Sequence, residues 1–175
     1  TFNFGVQLLT DLLASKYVDK IGYRTSIVLA HVFCALGLVL LTILPEILNP
    51  FTGILIAVMV YAIGGGIIEV LISPIMESCP TDNKERAMSL LLSFYCWGHV
   101  GVVLLSTLFF PFAGIGNWKV LAWVWAIIPI INGILFIKTP IAPLMAEDEQ
   151  GMTLKELICN QTFWLLILMM LCAGA

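Results

Sequence analysis

The sequence predicts an all-α membrane protein that crosses the bilayer several times, and three observations support this prediction. Apolar residues make up 61% of the 175 residues and charged residues only 11%, with a mean hydropathy of +1.05. A soluble domain has about 25% charged residues, because water has to solvate its surface. Long apolar runs also alternate with short polar connections, and basic residues gather in every second connection.

The apolar runs are long enough for helices, since a helix needs about 20 apolar residues to cross a bilayer. They lack the short alternation that is typical of membrane β-strands. Both ends of the sequence lie within apolar runs, so we expect a fragment of a longer chain. The runs predict six membrane helices, the last incomplete, at 2–18, 25–45, 52–76, 87–110, 119–138 and 161–175.

The basic residues predict the orientation of these helices. Cytoplasmic connections of membrane proteins carry an excess of Lys and Arg. If successive helices alternate in direction, seven of the eight basic residues fall on one side, which is therefore predicted to be cytoplasmic. Only Lys119 falls on the other side. The seven are Lys16, Lys20, Arg24, Lys84, Arg86, Lys138 and Lys155.

The connection after the fifth span differs from the others because it is long and contains an acidic run, Glu147–Glu149. Thr153 and Glu156 have the spacing of a capping box, which predicts a short surface helix from Thr153 to Cys159. We interpret the connection as a cytoplasmic linker between two helix bundles, with an ordinary solvated loop as the alternative. The predicted domains are an N-terminal bundle at 1–138, the linker at 139–160 and the start of a C-terminal bundle at 161–175.

Glu69 lies well inside a predicted span, where a charged side chain costs about 2.5–3.5 kcal/mol on insertion scales. It shares a helix face with Gly66 and Ser73, at i, i+3 and i+7 spacing. The glycines at 64–66 would let a helix or a ligand approach closely. We predict that Glu69 carries a proton or binds a polar solute. The alternative is a structural glutamate paired with another helix.

The first span carries a polar stripe, because Asn3, Gln7, Asp11 and Ser15 recur every four residues. Such a stripe faces the protein interior or water rather than lipid. Gln7 and Asp11 are therefore candidates for lining a transport pathway. Polar packing against a neighbouring helix is the alternative, and Asp11 could also reach the membrane surface by snorkelling.

Histidine is the residue type whose charge can change near neutral pH, so His31 and His99 are candidates for a functional role. A structural histidine bonded to a neighbouring helix is the alternative for each. Tyr95 and Trp97 precede His99 and could stack on a sugar ring, with aromatic packing as the alternative.

Other functional classes find little support in the sequence. The five cysteines have neither metal-binding nor disulfide spacing. No basic patch suggests nucleic acid, and no nucleophile–base pair suggests an enzyme. We therefore expect no cofactor, no metal, no nucleic-acid partner and no enzymatic activity.

The connection after the first span resembles the signature loop of the major facilitator superfamily, G-x-x-x-D-[RK]-x-G-[RK]-[RK]. Ser15 stands in place of its first glycine and Tyr23 in place of a basic residue. The resemblance implies that the loop joins the second and third helices of that fold on the cytoplasmic side. It also implies a conformational latch of ion pairs between two bundles. The matching positions are Asp19, Lys20, Gly22 and Arg24.

A narrower resemblance involves the segments 66–74 and 93–98, which are similar to the fucose–proton symporter branch of that superfamily. In that branch a glutamate of helix four, a few residues before a proline, handles sugar and protons, which implies this role for Glu69. Ser93 keeps a polar position of helix five, whereas Leu92 and Tyr95 replace amide side chains.

The resemblance implies a partial major facilitator fold covering helices two to seven. It also implies proton-coupled symport of a small polar solute, a sugar, by alternating access. We expect a monomer in the plasma membrane whose partners are the solute, protons and lipid. An uncoupled or antiporting transporter and a non-transporting receptor are the alternatives.

Overall fold

The computed structural model describes residues 2–141 and 154–174. Within these ranges the chain is helical, with no strand, so the predicted all-α membrane fold is confirmed. A 3₁₀ turn, Ile115–Asn117, precedes the fifth helix. The helices are α1 (Phe2–Ile21), α2 (Tyr23–Ile47), α3 (Pro50–Ser78), α4 (Lys84–Ala113), α5 (Trp118–Lys138), α6 (Leu154–Cys159) and α7 (Gln161–Gly174).

Membrane-spanning length and composition are found in four of the described helical segments, all within the unit that runs from Thr1 to Leu144. The first helix, α1, is 20 residues long, but its apolar part is limited to Gly5–Ala14. Its polar stripe and its charged end account for this limit. The four segments are Tyr23–Ile47, Pro50–Ser78, Lys84–Ala113 and Ile115–Lys138.

Two helices begin at asparagine caps. The Asn49 side chain accepts a hydrogen bond from the Phe51 amide at 3.1 Å, and Pro50 occupies the first turn. The Asn83 side chain accepts a hydrogen bond from the Arg86 amide at 2.9 Å. Both caps satisfy backbone donors that a helix start leaves without an intrahelical partner.

Two helices run beyond the prolines at which the sequence predicted their ends. Pro45 lies inside α2, which ends at Ile47, and Pro111 lies inside α4. A proline removes one backbone hydrogen bond and crowds the preceding turn, but membrane helices tolerate it, because neighbouring helices and local adjustments satisfy the freed carbonyl. The helix α4 instead ends at Ala113 and is followed by Gly114, whose φ of 80° favours glycine.

The helices α2 and α3 pack with their backbones almost in contact. A methyl group added to any of three glycines would lie 2.6 Å from a backbone atom of the opposite helix. The pairs run in opposite directions along the chain, so the two helices are antiparallel. Small residues allow this close approach between helices in lipid. The pairs are Gly37 with Tyr61, Gly53 with Leu44 and Gly64 with Ala30.

A core cluster forms where α1, α2 and α3 converge, near the end of the bundle that carries the basic connections. Ile27 and Leu71 are almost fully buried there. Phe136 and Ile141, from the end of α5 and the residues after it, pack against the cluster. Its buried members are Ala14, Val18, Ile27, Leu71 and Ile75.

The helix α5 packs against α2 in the antiparallel direction, and a polar contact joins the two helices at each end. The Arg24 guanidinium donates a hydrogen bond to the Thr139 carbonyl at 3.0 Å. At the other end Lys119 forms an ion pair with Glu46. Both contacts reach across the bundle, so they hold α5 along the length of α2.

The helix α4, whose residues are all described, contains no buried residue. Its side-chain contact with α5 is a hydrogen bond of 3.1 Å that the Trp125 indole donates to the Ser106 hydroxyl. Most of the surface of α4 is therefore not in contact with the other helices of this unit.

The second unit, Met145–Ala175, contains α6 and α7. The Asn160 side chain accepts a hydrogen bond from the Thr162 amide at 2.9 Å, and the Trp164 indole donates one to the Ile158 carbonyl at 2.7 Å. The first bond caps the start of α7, and the second connects α7 to α6. Thr153 of the predicted capping box and the acidic run at 147–149 lie outside the described residues.

The contact of α2 with α3 generates a stability prediction. We expect Gly37→Ala to lower the midpoint of thermal unfolding in detergent, because the new methyl group would overlap the Tyr61 backbone. Overpacking of this kind costs about 1–3 kcal/mol. Gly5→Ala is the control, since a methyl group there meets no described atom within 4 Å. Equal midpoints for both variants would contradict the observed packing.

Candidate functional site

Glu69 of α3 meets a polar partner from another helix. The Gln7 side-chain amide of α1 donates a hydrogen bond to a carboxylate oxygen of Glu69. Glu69 itself remains exposed outside this bond. A carboxylate in this position has further lone pairs for a second donor. The structure thus joins two of the predicted site residues and leaves one of them accessible.

The approach of α1 to α3 at Gly66 places these side chains. A methyl group added to Gly66 would lie 2.8 Å from an Asp11 carboxylate oxygen and 3.2 Å from the Gln7 carbonyl. The absence of a side chain at Gly66 therefore lets the polar stripe of α1 lie directly against α3. Gln7 and Asp11 face a neighbouring helix, as the sequence required of a stripe in an apolar span.

The same stripe contains buried oxygen atoms without a hydrogen-bond partner among the described residues. They are Oδ1 of Asn3 and Oδ1 of Asp11. Buried polar atoms are usually paired, and an unpaired one carries a free-energy cost. Asp11 and Asn3 therefore add unused acceptors beside the Gln7–Glu69 pair.

The predicted site residues of α4 lie apart from this pair. The Ser93 hydroxyl donates a hydrogen bond to the Ser89 carbonyl at 2.8 Å, within its own helix. The Tyr95 and His99 rings are 6.2 Å apart, measured between centroids. No contact that the structure describes links these three residues to Glu69, so the predicted site divides into an α1–α3 part and an α4 part.

His99 also lines an open groove of about 440 Å³ on α4. The rest of the groove is formed by aliphatic side chains and Thr107 from the same helix. Trp97, the other aromatic residue predicted to stack on a sugar, is 73% exposed. His99 and Trp97 are therefore accessible, because no helix among the described residues covers them.

His31 has a structural environment. Its side chain is buried, and the Nδ1–H donates a hydrogen bond to the Ile27 carbonyl at 2.7 Å. Its ring lies 5.3 Å from the Phe136 ring, and its Cβ lies close to Gly133. This packing between α2 and α5 supports the structural alternative for His31.

The signature loop is a single residue, Gly22, between α1 and α2. Its φ of 91° and ψ of 141° lie in a region that other residues rarely adopt. The Gly22 amide still donates a hydrogen bond to the Val18 carbonyl at 2.8 Å. Arg24 follows in the first turn of α2 and contacts the end of α5. The side chains of Asp19 and Lys20 lie outside the described part of the structure.

Comparison with known proteins identifies the family. The family model of the Major Facilitator Superfamily matches residues 1–175, the full length of the sequence. The chain belongs to the major facilitator superfamily. No curated protein and no solved structure matches the chain.

Members of the major facilitator superfamily are membrane transporters of small solutes. The chain is accordingly an integral, multi-pass membrane protein that serves the transport of small solutes. The described residues contain no group of three His, Cys, Asp or Glu side chains placed to hold a metal ion.

Sequence reasoning missed the ion pair between Glu46 and Lys119. Glu46 places a negative charge near the C-terminus of α2, and Lys119 places a positive charge near the N-terminus of α5. Both positions are unfavourable, because the helix dipole is negative at the C-terminus and positive at the N-terminus. Their pairing offsets this disadvantage. One signal in the sequence could have indicated a partner for Lys119, because it is the one basic residue on its side of the membrane in the predicted topology.

The conformation of Gly22 generates a second prediction. We expect Gly22→Ala to destabilise the transporter, because a side chain at this φ and ψ costs about 1–3 kcal/mol. The midpoint of thermal unfolding in detergent measures the change. The space around Gly22 is open among the described residues, so backbone strain alone would cause the effect.

Gly116→Ala is the matched control for this variant. Gly116 also lies in a connection with open space around it, but its φ is not in the positive range. We expect its unfolding midpoint to stay unchanged. If both variants unfold at the temperature of the unmodified protein, the positive φ of Gly22 carries no strain and the prediction is wrong.

Proposed function

We propose that this transporter moves a sugar in symport with protons and that Glu69 carries the proton. The observation that supports the proposal is the position of Glu69, an accessible carboxylate on α3 that accepts a hydrogen bond from Gln7 of α1. A charged side chain on a lipid-facing surface costs several kcal/mol, so this face of α3 is expected to line a polar cavity.

The chemistry of the pair suits a proton carrier. An ionised carboxylate is an acceptor only, and it can bind the Gln7 amide and a solute hydroxyl together. A protonated carboxyl becomes a donor as well and loses its charge. When the transporter passes through a state in which Glu69 is shielded from water, the neutral side chain has a lower desolvation free energy than the anion. Proton and solute would therefore bind to the same state and move together.

Alternating access supplies the movement. In transporters of this type two bundles rock about a site near the middle of the membrane. The proposed domains are the N-terminal bundle at 1–138, a cytoplasmic linker at 139–160 and the start of the C-terminal bundle at 161–175. The ligand shifts the population toward the state that binds it better. Glu69 would release its proton when the cavity opens to the cytoplasmic side.

The other predicted site residues receive supporting roles in this proposal. Asp11 provides a second acid beside the Gln7–Glu69 pair, since its carboxylate lies against Gly66. Ser93, Tyr95 and His99 are exposed on α4 and would contact the solute from a second helix.

The proposed latch lies at the cytoplasmic end of the same bundle. Arg24 donates to the Thr139 carbonyl, the residue at which the linker begins. Movement of the linker would therefore reach the loop around Gly22 through this hydrogen bond. Asp19 and Lys20 complete the proposed latch. The resemblance to the fucose–proton symporter branch supports the same assignment, together with a monomer in the plasma membrane.

Glu69→Gln in the full-length protein tests the proton-carrying role. Glutamine has nearly the same shape and keeps an oxygen acceptor for Gln7, but it cannot ionise. We expect proton-driven uptake of radiolabelled L-fucose, D-galactose or D-glucose into proteoliposomes to fall to the background of protein-free liposomes. Exchange of the same sugar without a proton gradient should survive.

Glu46→Gln is the matched control, because Glu46 is a glutamate of the same bundle that pairs with Lys119 instead of facing the proposed cavity. Its proton-driven uptake should remain. Unchanged pH-dependent uptake by Glu69→Gln would refute the proposal. If uptake by the unmodified protein does not depend on the proton gradient, the transporter is uncoupled. If the protein binds the sugar but shows no uptake, it is a receptor.

A further inference from the structure

Large apolar side chains are exposed at the end of the bundle opposite the basic connections. Two segments lie at this end, 47–51 where α2 is joined to α3 and 112–118 where α4 is joined to α5. Of the five most exposed large apolar side chains among the described residues, four lie in these segments. We call these four residues the apolar rim. They are Phe112 (90% exposed), Ile115 (80%), Phe51 (74%) and Ile47 (72%).

The connection that joins α3 to α4 at the basic end has a different composition. Its residues 79–83 are also exposed, but none of them is a large apolar residue. Asp82 places a charge in this connection instead. Such a connection is suited to water, whereas a cluster of exposed apolar side chains marks a surface that something other than water covers.

The apolar rim has no net charge around it. The segments 47–51 and 112–118 contain no charged residue. The two charged residues that flank them, Glu46 and Lys119, form an ion pair with each other. Removal of this surface from water therefore leaves no charge without a counter-ion, which an apolar environment would make costly.

The backbone of the first segment is hydrogen-bonded within the chain. The Leu48 amide donates a hydrogen bond to the Leu44 carbonyl at 2.9 Å. Pro50 has no amide hydrogen, and the Phe51 amide donates to the Asn49 side chain at 3.1 Å. Backbone groups in lipid require such partners, because no water is present there to bind them.

The second segment has partners of the same kind. The Gly114 amide donates a hydrogen bond to the Phe110 carbonyl at 2.9 Å. The Asn117 side-chain amide donates one to the Ala113 carbonyl at 2.6 Å. These bonds satisfy groups that the end of α4 would otherwise present to water. Both segments are therefore suited to an environment that provides few hydrogen bonds.

The length of α4 places its end within the membrane interface. Arg86 is the last charged residue of α4, and Phe112 lies in the final turn of this helix. At about 1.5 Å per residue, about 39 Å of helix separate the two residues. A bilayer with its headgroup regions is about 40–45 Å thick. With Arg86 at one surface of the membrane, Phe112 therefore lies in the opposite interface and not in the water beyond it.

We infer that the apolar rim is inserted into the lipid of the membrane interface, so that the bilayer itself covers this surface. Trp118 and Lys119 border the rim, with the Lys119 ammonium 6.0 Å from the centre of the Trp118 ring. Tryptophan favours the membrane interface, and a lysine at this depth extends its charged end to the headgroups. The rim holds this end of the bundle at a fixed depth. Insertion depends neither on Glu69 nor on the transported solute.

Spin labels on the full-length protein test this position. All native cysteines are replaced by alanine, and Phe112→Cys, Ile115→Cys and Asp82→Cys are each labelled with a nitroxide. Collision rates with oxygen, which dissolves in lipid, and with a neutral nickel chelate, which stays in water, are measured in phosphatidylcholine nanodiscs. At Phe112 and Ile115 we expect the oxygen rate to exceed the nickel rate. At Asp82, the matched control, we expect the reverse.

Two results would overturn the inference. A nickel rate at Phe112 and Ile115 as high as that at Asp82 places the rim in water, and low rates with both reagents place it against protein. The exposure of Phe112 and Ile115 means that the labels should leave the midpoint of thermal unfolding unchanged. If a label lowers this midpoint, Phe51→Cys provides the same measurement from the other segment.

The lipid composition distinguishes insertion from binding of a charged headgroup. We expect the same ratio of collision rates in phosphatidylcholine nanodiscs and in nanodiscs with equal parts of phosphatidylcholine and phosphatidylglycerol, because the rim and its ion pair have no net charge. A ratio that favours oxygen only in the anionic nanodiscs would contradict insertion and indicate a headgroup site. Since these measurements involve no transport, loss of the role proposed for Glu69 leaves the inference intact.

Discussion

The near contact of the α2 and α3 backbones organises the rest of this bundle. Lipid tails are as apolar as leucine, so burial of apolar side chains provides little driving force between membrane helices. Close packing supplies it instead, and three glycines allow that approach along most of the length of α2. Once α2 and α3 are paired, α2 offers a surface for α5, and α3 offers one for α1. The Glu46–Lys119 and Gln7–Glu69 contacts follow from these positions.

The contact between Gln7 and Glu69 also depends on a glycine that lets two helices approach closely. Gly66 brings α1 against α3, and this approach places the Gln7 amide at the Glu69 carboxylate. With a larger residue at position 66 the polar stripe would stand off from α3, and Glu69 would lose its partner. A backbone feature therefore determines the environment of the ionisable group that the proposed transport mechanism requires.

Much of this architecture could be predicted from the sequence, because hydrophobic length and charge asymmetry are strong signals in a membrane protein. The third span was predicted to begin at 52, and the helix begins two residues earlier at Pro50, where the Asn49 side chain caps it. The prolines Pro45 and Pro111 marked ends too early, since a membrane helix can continue past a proline. Gly22 matched a family signature, and the structure supplies its physical reason in a positive φ.

Which of the three adjacent glycines contacts which neighbouring helix could not be predicted. Successive residues of a helix point about 100° apart, so Gly64, Gly65 and Gly66 face three different directions. Which direction meets a neighbour depends on where α1 and α2 lie, and a single sequence does not contain that information. For the same reason the pairing of Glu46 with Lys119 emerges only when α5 lies beside α2.

The contacts between α2 and α5 also bear on the biogenesis of the protein. Glu46 and Lys119 are separated by 73 positions, and Arg24 and Thr139 by 115. At about 5–20 residues per second, a ribosome needs about 4–15 seconds to synthesise the chain between Glu46 and its partner. The α2–α3 contact needs only residues up to 64, whereas the contacts of Glu46 and Arg24 with α5 can form only after α5 has been synthesised.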